Sequence, residues 1–322
     1  MRAAIISDIH ANSFALQKVL VHAFHKMKCD RLFCLGDLLG YGATPIETLG
    51  LLSEYLEVCT CICGNHEDII WRLGSFFADE TGSLCSPEHV EEFHASYKAI
   101  SSRAISSCLS NLDELRQNAD APGVAWYFSL IENRDPYMIL DQKEFERPIV
   151  LSHGSYKDRD IFYHYGWTNE FGANNFHINP ILELKLPGPV TFVGHTHIPM
   201  LYSVVQDWKD RERGDFQYGK PYALGDSLQV INPGSVGFSR DGDSRASYAV
   251  IDTAPWTVTF FRLDYDSDLA SDAMINKQFD MESIKIFMTS VYPNELSNGL
   301  ATGEINLKYQ AELEERKEST GE

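Results

Sequence analysis

Five short apolar runs in this chain each end in residue types that can ligate metal ions. Ala3-Ala4-Ile5-Ile6 leads into Asp8 and His10, and Arg31-Leu32-Phe33-Cys34-Leu35 leads into Gly36-Asp37. Val58-Cys59-Thr60-Cys61-Ile62-Cys63 leads into Gly64-Asn65-His66-Glu67. Pro148-Ile149-Val150-Leu151 leads into Ser152-His153-Gly154, and Val190-Thr191-Phe192-Val193 into Gly194-His195-Thr196-His197. Apolar runs of this length bounded by glycine read as buried strands. In α/β sheets, ligands bind outside the carboxyl ends of the strands. The pattern therefore predicts a sheet protein that delivers two Asp, one Asn and five His to one rim.

The intervening segments set the class. Asn12 or Ser13 can cap a helix in which Leu16, Val19, Leu20, Ala23, Phe24 and Met27 recur at helical spacing. Thr44-Pro45 reads as a cap with proline at the first helical position, followed by Leu49, Leu52 and Leu56. The order β-α-β-α-β favours a mostly parallel sheet. Residues 67–118 read as helical with a break between Gly82 and Pro87, and 123–153 as extended segments. From 190 onward strands follow one another, near 190–194, 200–205, 228–232, 247–252 and 256–263, which predicts a second, more antiparallel sheet. The polar stretch 206–226 reads as an exposed hairpin insertion. The expected organisation is one domain over 1–265, a helical extension over 266–310 and a mobile charged tail over 311–322.

Composition narrows the partners. The hydrophobic fraction of 44% supports a large packed core. The net charge of −19 repels a long polyanion, so nucleic acid is a poor partner. A small anionic substrate stays compatible, because bound divalent cations reverse the local potential. Cys59, Cys61 and Cys63 alternate along one strand and face the same way, which reads as small buried residues in a reducing compartment. No apolar stretch approaches the roughly 18 residues of a membrane span. Met1-Arg2 runs straight into the first strand, which argues against a cleaved leader; the cytoplasm is the expected location.

Asp8, His10, Asp37, Asn65, His153, His195 and His197 are too many donors for one tetrahedral site. They suit two divalent ions about 3.5–4 Å apart. Carboxylate, amide oxygen and imidazole together favour Mn, Fe, Zn, Co or Ni. Asp37, with two oxygens to share, is the natural bridge. In Asp8-x-His10 and His195-x-His197, an extended backbone would point both side chains one way.

These motifs resemble the calcineurin-like metallophosphoesterase superfamily. Its pattern D-x-H, G-D-x-x, G-N-H-[DE], H and G-H-x-H is matched by Asp8-Ile9-His10, Gly36-Asp37-Leu38-Leu39, Gly64-Asn65-His66-Glu67, His153 and Gly194-His195-Thr196-His197. Within it, Ser7-Asp8-Ile9-His10-Ala11-Asn12, Gly36-Asp37-Leu38-Leu39-Gly40-Tyr41-Gly42 and Asn232-Pro233-Gly234-Ser235-Val236-Gly237 are similar to the small bacterial phosphodiesterase-like branch. The resemblance covers about residues 1–265 and implies a four-layer α/β/β/α sandwich with two mixed β-sheets. It implies one metal on Asp8, His10 and His197, a second on Asn65, His153 and His195, and Asp37 between them. It further implies hydrolysis of phosphodiesters or phosphomonoesters by a metal-bridging hydroxide, with His66 as the general acid. The substrate class is then a small phosphoester or nucleotide-like molecule. Protein Ser/Thr phosphatases of the superfamily carry G-D-x-x-D-R-G, whereas Gly40 and Tyr41 stand here in place of the Asp and Arg. The missing Asp leaves open what orients His66.

An alternative is a catalytically lapsed scaffold for protein binding, as one retromer subunit of this fold resembles. Loss of the G-N-H histidine marks that lapse, and His66 is present. Four further features have local or competing uses. Asn12 can donate to a phosphate or cap the first helix. Arg240 can reach a phosphate or pair with Asp241 or Asp243. Glu67 suits a helix N-terminus, where the dipole favours negative charge. Phe162, Tyr163, Tyr165, Trp167, Phe171 and Phe176 form an aromatic segment that packing explains, with stacking on a nucleobase as the rival use.

Overall fold

The computed structural model describes residues 1–80, 82–98, 100–133, 137–140, 145–154, 186, 188–204 and 211–289. The aromatic segment 162–176 and the tail 311–322 lie outside the described residues.

Among the described residues, two six-stranded mixed sheets stack face to face. In the first, β1 (Arg2–Ile6), β2 (Arg31–Cys34) and β3 (Cys59–Cys61) run parallel. They are joined by α1 (Ser13–Val21) and α2 (Pro45–Ser53). β11 (Ala246–Thr253) pairs antiparallel with β1, β12 (Trp256–Leu263) with β11, and β9 (Pro221–Ala223) with β12. The second sheet runs in the order β4 (Tyr137–Leu140), β5 (Ile149–Ser152), β6 (Val190–Val193), β10 (Leu228–Asn232), β7 (Met200–Val204) and β8 (Arg211–Arg213). Within it β5, β6 and β10 are parallel.

The period-two alternation of β1 divides the core. Ala3 and Ile5 face the space between the sheets, with Phe33, Ile149, Leu151, Phe192 and Phe260. Ala4 and Ile6 face the helices, with Leu16, Val19, Leu49, Ile70 and Leu109. A strand buried on both faces needs apolar residues at every position, which is why the parallel strands read as unbroken apolar runs. That helical layer continues through α3 (Asn65–Phe76), α4 (Pro87–Ser96), α5 (Ser102–Gln117) and α6 (Val124–Asn133). Helices α7 (Ser267–Asn276) and α8 (Met281–Thr289) follow the last strand. Among the described residues, no helix is long and apolar enough to cross a membrane.

Three expectations are corrected. The stretch expected to be extended from 123 begins as α6; Val124, Tyr127 and Ile131 are its buried positions, a helical spacing that the aromatic and β-branched content disguised. The consecutive strands after 190 do not form one sheet, because β11 and β12 return to the first sheet beside β1. In the described part of the stretch 206–226, β8 pairs with β7 in one sheet and β9 with β12 in the other, so its two strands do not pair with each other.

Candidate metal centre

The parallel strands of both sheets end at one rim, and the sequence-predicted residues follow those ends. Asp8 follows β1, Asp37 follows β2, Asn65 and His66 begin α3 after β3, His153 follows β5, and His195 and His197 follow β6. These seven and His10 are all buried. The backbone there is not extended, contrary to the spacing argument. Asp8, His10, Asp37, His195 and His197 have φ between +50° and +66°. A left-handed conformation at a residue with a Cβ costs about 1–2 kcal/mol. Surrounding hydrogen bonds hold it in place. Asp8 N donates to Gly36 O at 3.1 Å, His10 N to Asp37 O at 3.0 Å and Gly194 N to His153 O at 2.8 Å. Gly36 lies so close to the third loop that a Cβ on it would stand 2.2 Å from Gly64 N.

The donors fall into two groups that share one residue. Asp8, His10, Asp37 and His197 form the first, and Asp37, His153 and His195 the second. His10 Nε2 and His153 Nε2 lie 3.7 Å and 3.3 Å from the same Asp37 oxygen, Oδ2. Asn65 Oδ1 joins the second group, 3.2 Å from His153 Nε2 and 2.8 Å from His195 Nδ1. Proton placement tests whether these residues suit cations. His10 Nδ1 lies 3.2 Å from Leu39 O, His153 Nδ1 lies 2.7 Å from Leu35 O, and His197 Nδ1 contacts Phe238 O. A carbonyl only accepts, so each Nδ1 carries a proton, and each ring, once neutral, offers the Nε2 lone pair inward. His10 Nε2 and His197 Nε2 then face each other at 3.2 Å. Asp8 Oδ1 lies 3.2 Å from His197 Nε2 without the alignment of a hydrogen bond. Buried lone pairs and carboxylate oxygens converge here. Divalent cations, or protons in their place, reconcile them.

The electrostatics agree. Burial acts to raise the Asp8 carboxyl, but His197 and His153 outweigh it and hold it at about 2. Burial also opposes ionisation of Asp37, yet His153 and His66 keep it well below the usual carboxylate range. Burial disfavours charge on His153, but Asp37 and Asp8 push it up to about 9. Burial lowers His10, His195 and His197.

The neighbours separate the competing uses. Asn12 caps α1: its Oδ1 accepts from Ala15 N at 3.1 Å, while Nδ2 donates to Gly237 O at 3.1 Å. Asp241 pairs with Arg262, and Asp243 with Arg245 at 2.7 Å. The positive charge of Arg240 lowers His66, His195 and His197, and its guanidinium sits 5.4 Å from the Phe238 ring centre.

Two supports were missed by sequence reasoning. Glu67 stands in the first turn of α3, but it also ties two loops together. Its carboxylate accepts from Gly64 N at 2.8 Å, Asp37 N at 2.7 Å and Leu38 N at 2.9 Å. Burial and Asp37 push its carboxyl up to about 7, against the backbone donors that favour the anion. The stretch Asn232-Pro233-Gly234-Ser235-Val236-Gly237 braces two more loops. Asn232 Nδ2 donates to Gly194 O at 2.8 Å, and Ser235 Oγ donates to Asp8 O at 2.7 Å. The chain motif was visible; the partners it braces were not.

His66 lies beside the first group. Its ring centre is 4.7 Å from His10 and 4.5 Å from Tyr41. Its backbone N donates to Asp37 Oδ1 at 2.8 Å. Burial lowers its imidazole to about 4. Tyr41 and Phe238 also line a cavity of about 800 Å³ between α4–α5 and α7–α8, whose wall includes Ser106, Ser107 and Ser110.

Known proteins share part of this sequence and this fold. An uncharacterized protein of Methanocaldococcus jannaschii is 27% identical over 283 residues, covering 85% of this chain and 92% of its own length. A crystallised metallophosphoesterase from Sphaerobacter thermophilus superposes with a TM-score of 0.65 at 24% identity, covering 90% of this chain and 99% of its own. A hypothetical protein of Pyrococcus horikoshii OT3 gives a TM-score of 0.61 at 14% identity, covering 91% and 99% respectively. Both structures share the fold. The calcineurin-like phosphoesterase superfamily domain matches residues 1–255, and with two mixed sheets carrying buried Asp and His groups that can hold metal, this chain belongs to that superfamily.

Proposed function

We propose that this protein hydrolyses small phosphoesters, diesters or monoesters, with the help of two divalent cations. The observation that carries the reading is Asp37, whose carboxylate is common to both donor groups. Asp8, His10 and His197 hold one cation, Asn65, His153 and His195 the other, with Asp37 between them. When bound, the pair supplies Lewis acidity toward a water molecule and the phosphoryl oxygens. The remaining work belongs to the chain. Arg240 adds a positive charge beside the cluster and draws the substrate phosphate; the capping bonds of Asn12 favour Arg240 over it for that task. His66, whose ring centre lies 4.7 Å from that of His10, would serve as the general acid toward the leaving oxygen. Burial holds its imidazole at about 4, so at neutral pH the resting ring is neutral: its N–H hydrogen-bonds the leaving oxygen, and proton transfer to that oxygen needs the imidazolium. The cavity reaching Tyr41 and Phe238 leaves room for the rest of a small substrate.

The test combines metal content with turnover. Protein purified without chelators is expected to bind two equivalents of Mn, Fe, Zn, Co or Ni and to hydrolyse bis-p-nitrophenyl phosphate or p-nitrophenyl phosphate. His66→Asn is expected to retain both metals and lose about 10²–10⁴-fold in kcat. Inactivity of the wild type across these metals would sink the proposal. Wild-type turnover in His66→Asn would remove His66 from it.

A further inference from the structure

His66 lacks the acidic partner that Gly40 replaces, yet its ring is not loose. Among the described residues, the atom within hydrogen-bond reach of His66 Nδ1 is Cys108 Sγ, at 3.3 Å. Both side chains are buried. Gly40 closes the ring from another side, since a Cβ on it would stand 2.0 Å from Nδ1. An Asp at position 40 therefore has no space with His66 in this place. The imidazole occupies the room that glycine leaves, and α5 supplies its partner instead. The same helix fixes the Gly40 turn: Asn111 Oδ1 accepts from Gly40 N at 2.7 Å, and Asn111 Nδ2 donates to Gly42 O at 3.1 Å. One helix thus sets both the ring and the turn that confines it.

We infer that Cys108 is the positioning residue of His66: its thiol donates S–H to Nδ1, so the proton of the ring sits on Nε2, facing the substrate. The inference rests on the proposed role of His66 at the leaving oxygen. A carboxylate partner acts in the opposite sense, because it accepts from Nδ1–H and favours a charged ring. A thiol that donates selects the other tautomer and supplies no compensating charge. Burial raises the thiol well above its ordinary value, which keeps the S–H available to donate. Among the described residues the hydrogen bonds of His66 run through its backbone N and Nδ1, which leaves Nε2 for a ligand.

Long-range ¹H–¹⁵N spectra of the full chain, recorded after chelation and again with Zn²⁺ added, test the tautomer directly. The His66 signals are those missing from His66→Asn. The wild type is expected to show unprotonated Nδ1 and protonated Nε2. Cys108→Ala is expected to lose this preference and to lower kcat about tenfold, the scale of one lost hydrogen bond, with KM nearly unchanged. Cys108→Ser, which keeps a donor, is expected to restore both tautomer and kcat. A protonated Nδ1 in the wild type would overturn the inference, and needs no variant to fold. So would an unchanged tautomer in Cys108→Ala, or a serine variant with wild-type metal content that restores nothing. Full turnover in His66→Asn would instead overturn the role of His66, whichever nitrogen carries the proton.

Discussion

Asp37 concentrates the chemistry of the molecule in one carboxylate. It faces His10 and His153, accepts from His66 N and is itself held by Glu67. With no cation bound, a proton on His153 meets that charge, and burial is overcome until the ring titrates at about 9. The folded value lies above the ordinary 6.5, so this pairing stabilises the metal-free protein fully below about pH 6.5. The contribution is lost as pH rises through about 9. Cations compete with the same proton. Loading chelated protein near pH 7.5 is expected to release roughly one proton from His153. Calorimetry in two buffers of different ionisation enthalpy measures that release, and its absence would show that Asp37 and His153 are not paired.

At the scale of elements, one side chain joins two loops that the sequence holds thirty residues apart. Glu67 belongs to α3, yet two of its three hydrogen bonds go to the turn after β2. Glu67→Ala leaves three buried backbone N–H groups without an acceptor, each costing about 1–3 kcal/mol before any relaxation. We expect a loss of about 3–5 kcal/mol by urea denaturation, with a smaller loss in Glu67→Gln. A loss below about 1 kcal/mol would mean that water replaces the carboxylate. The sequence showed Glu67 as a helix-start residue, because a first-turn acid is a local signal. Its second use depends on which loop folds against it, and no local pattern carries that. The same limit applies to Asn232 and Ser235, and to Cys108, which is unremarkable in an amphipathic helix until His66 is set against it. It also explains the misread helix at 124–133, where composition masked a spacing that only packing against the core made decisive.

On the scale of the whole molecule, the centre straddles two sheets. Asp8, Asp37 and Asn65 follow strands of the first, while His153 and His195 follow strands of the second. Cations held there would clamp the sheets together at one rim. A ligand at a hundred times its Kd stabilises the folded state by about 2.7 kcal/mol. Chelation is expected to lower Tm and to speed amide exchange in the segments after β1, β2, β5 and β6 together. An unchanged Tm would show that the cations contribute nothing to sheet cohesion.

The strand ends, the donor residues beyond them and the parallel start of the sheet were legible in the chain. Apolar runs and ligand types are local properties, and burial on both faces writes itself into consecutive residues. Tertiary structure alone decided that β11 and β12 return to the first sheet, that the D-x-H and H-x-H turns adopt left-handed backbone, and that a thiol on α5 meets His66. Each is set by contacts between residues distant in sequence, whose energy exists only once the chain has brought them together.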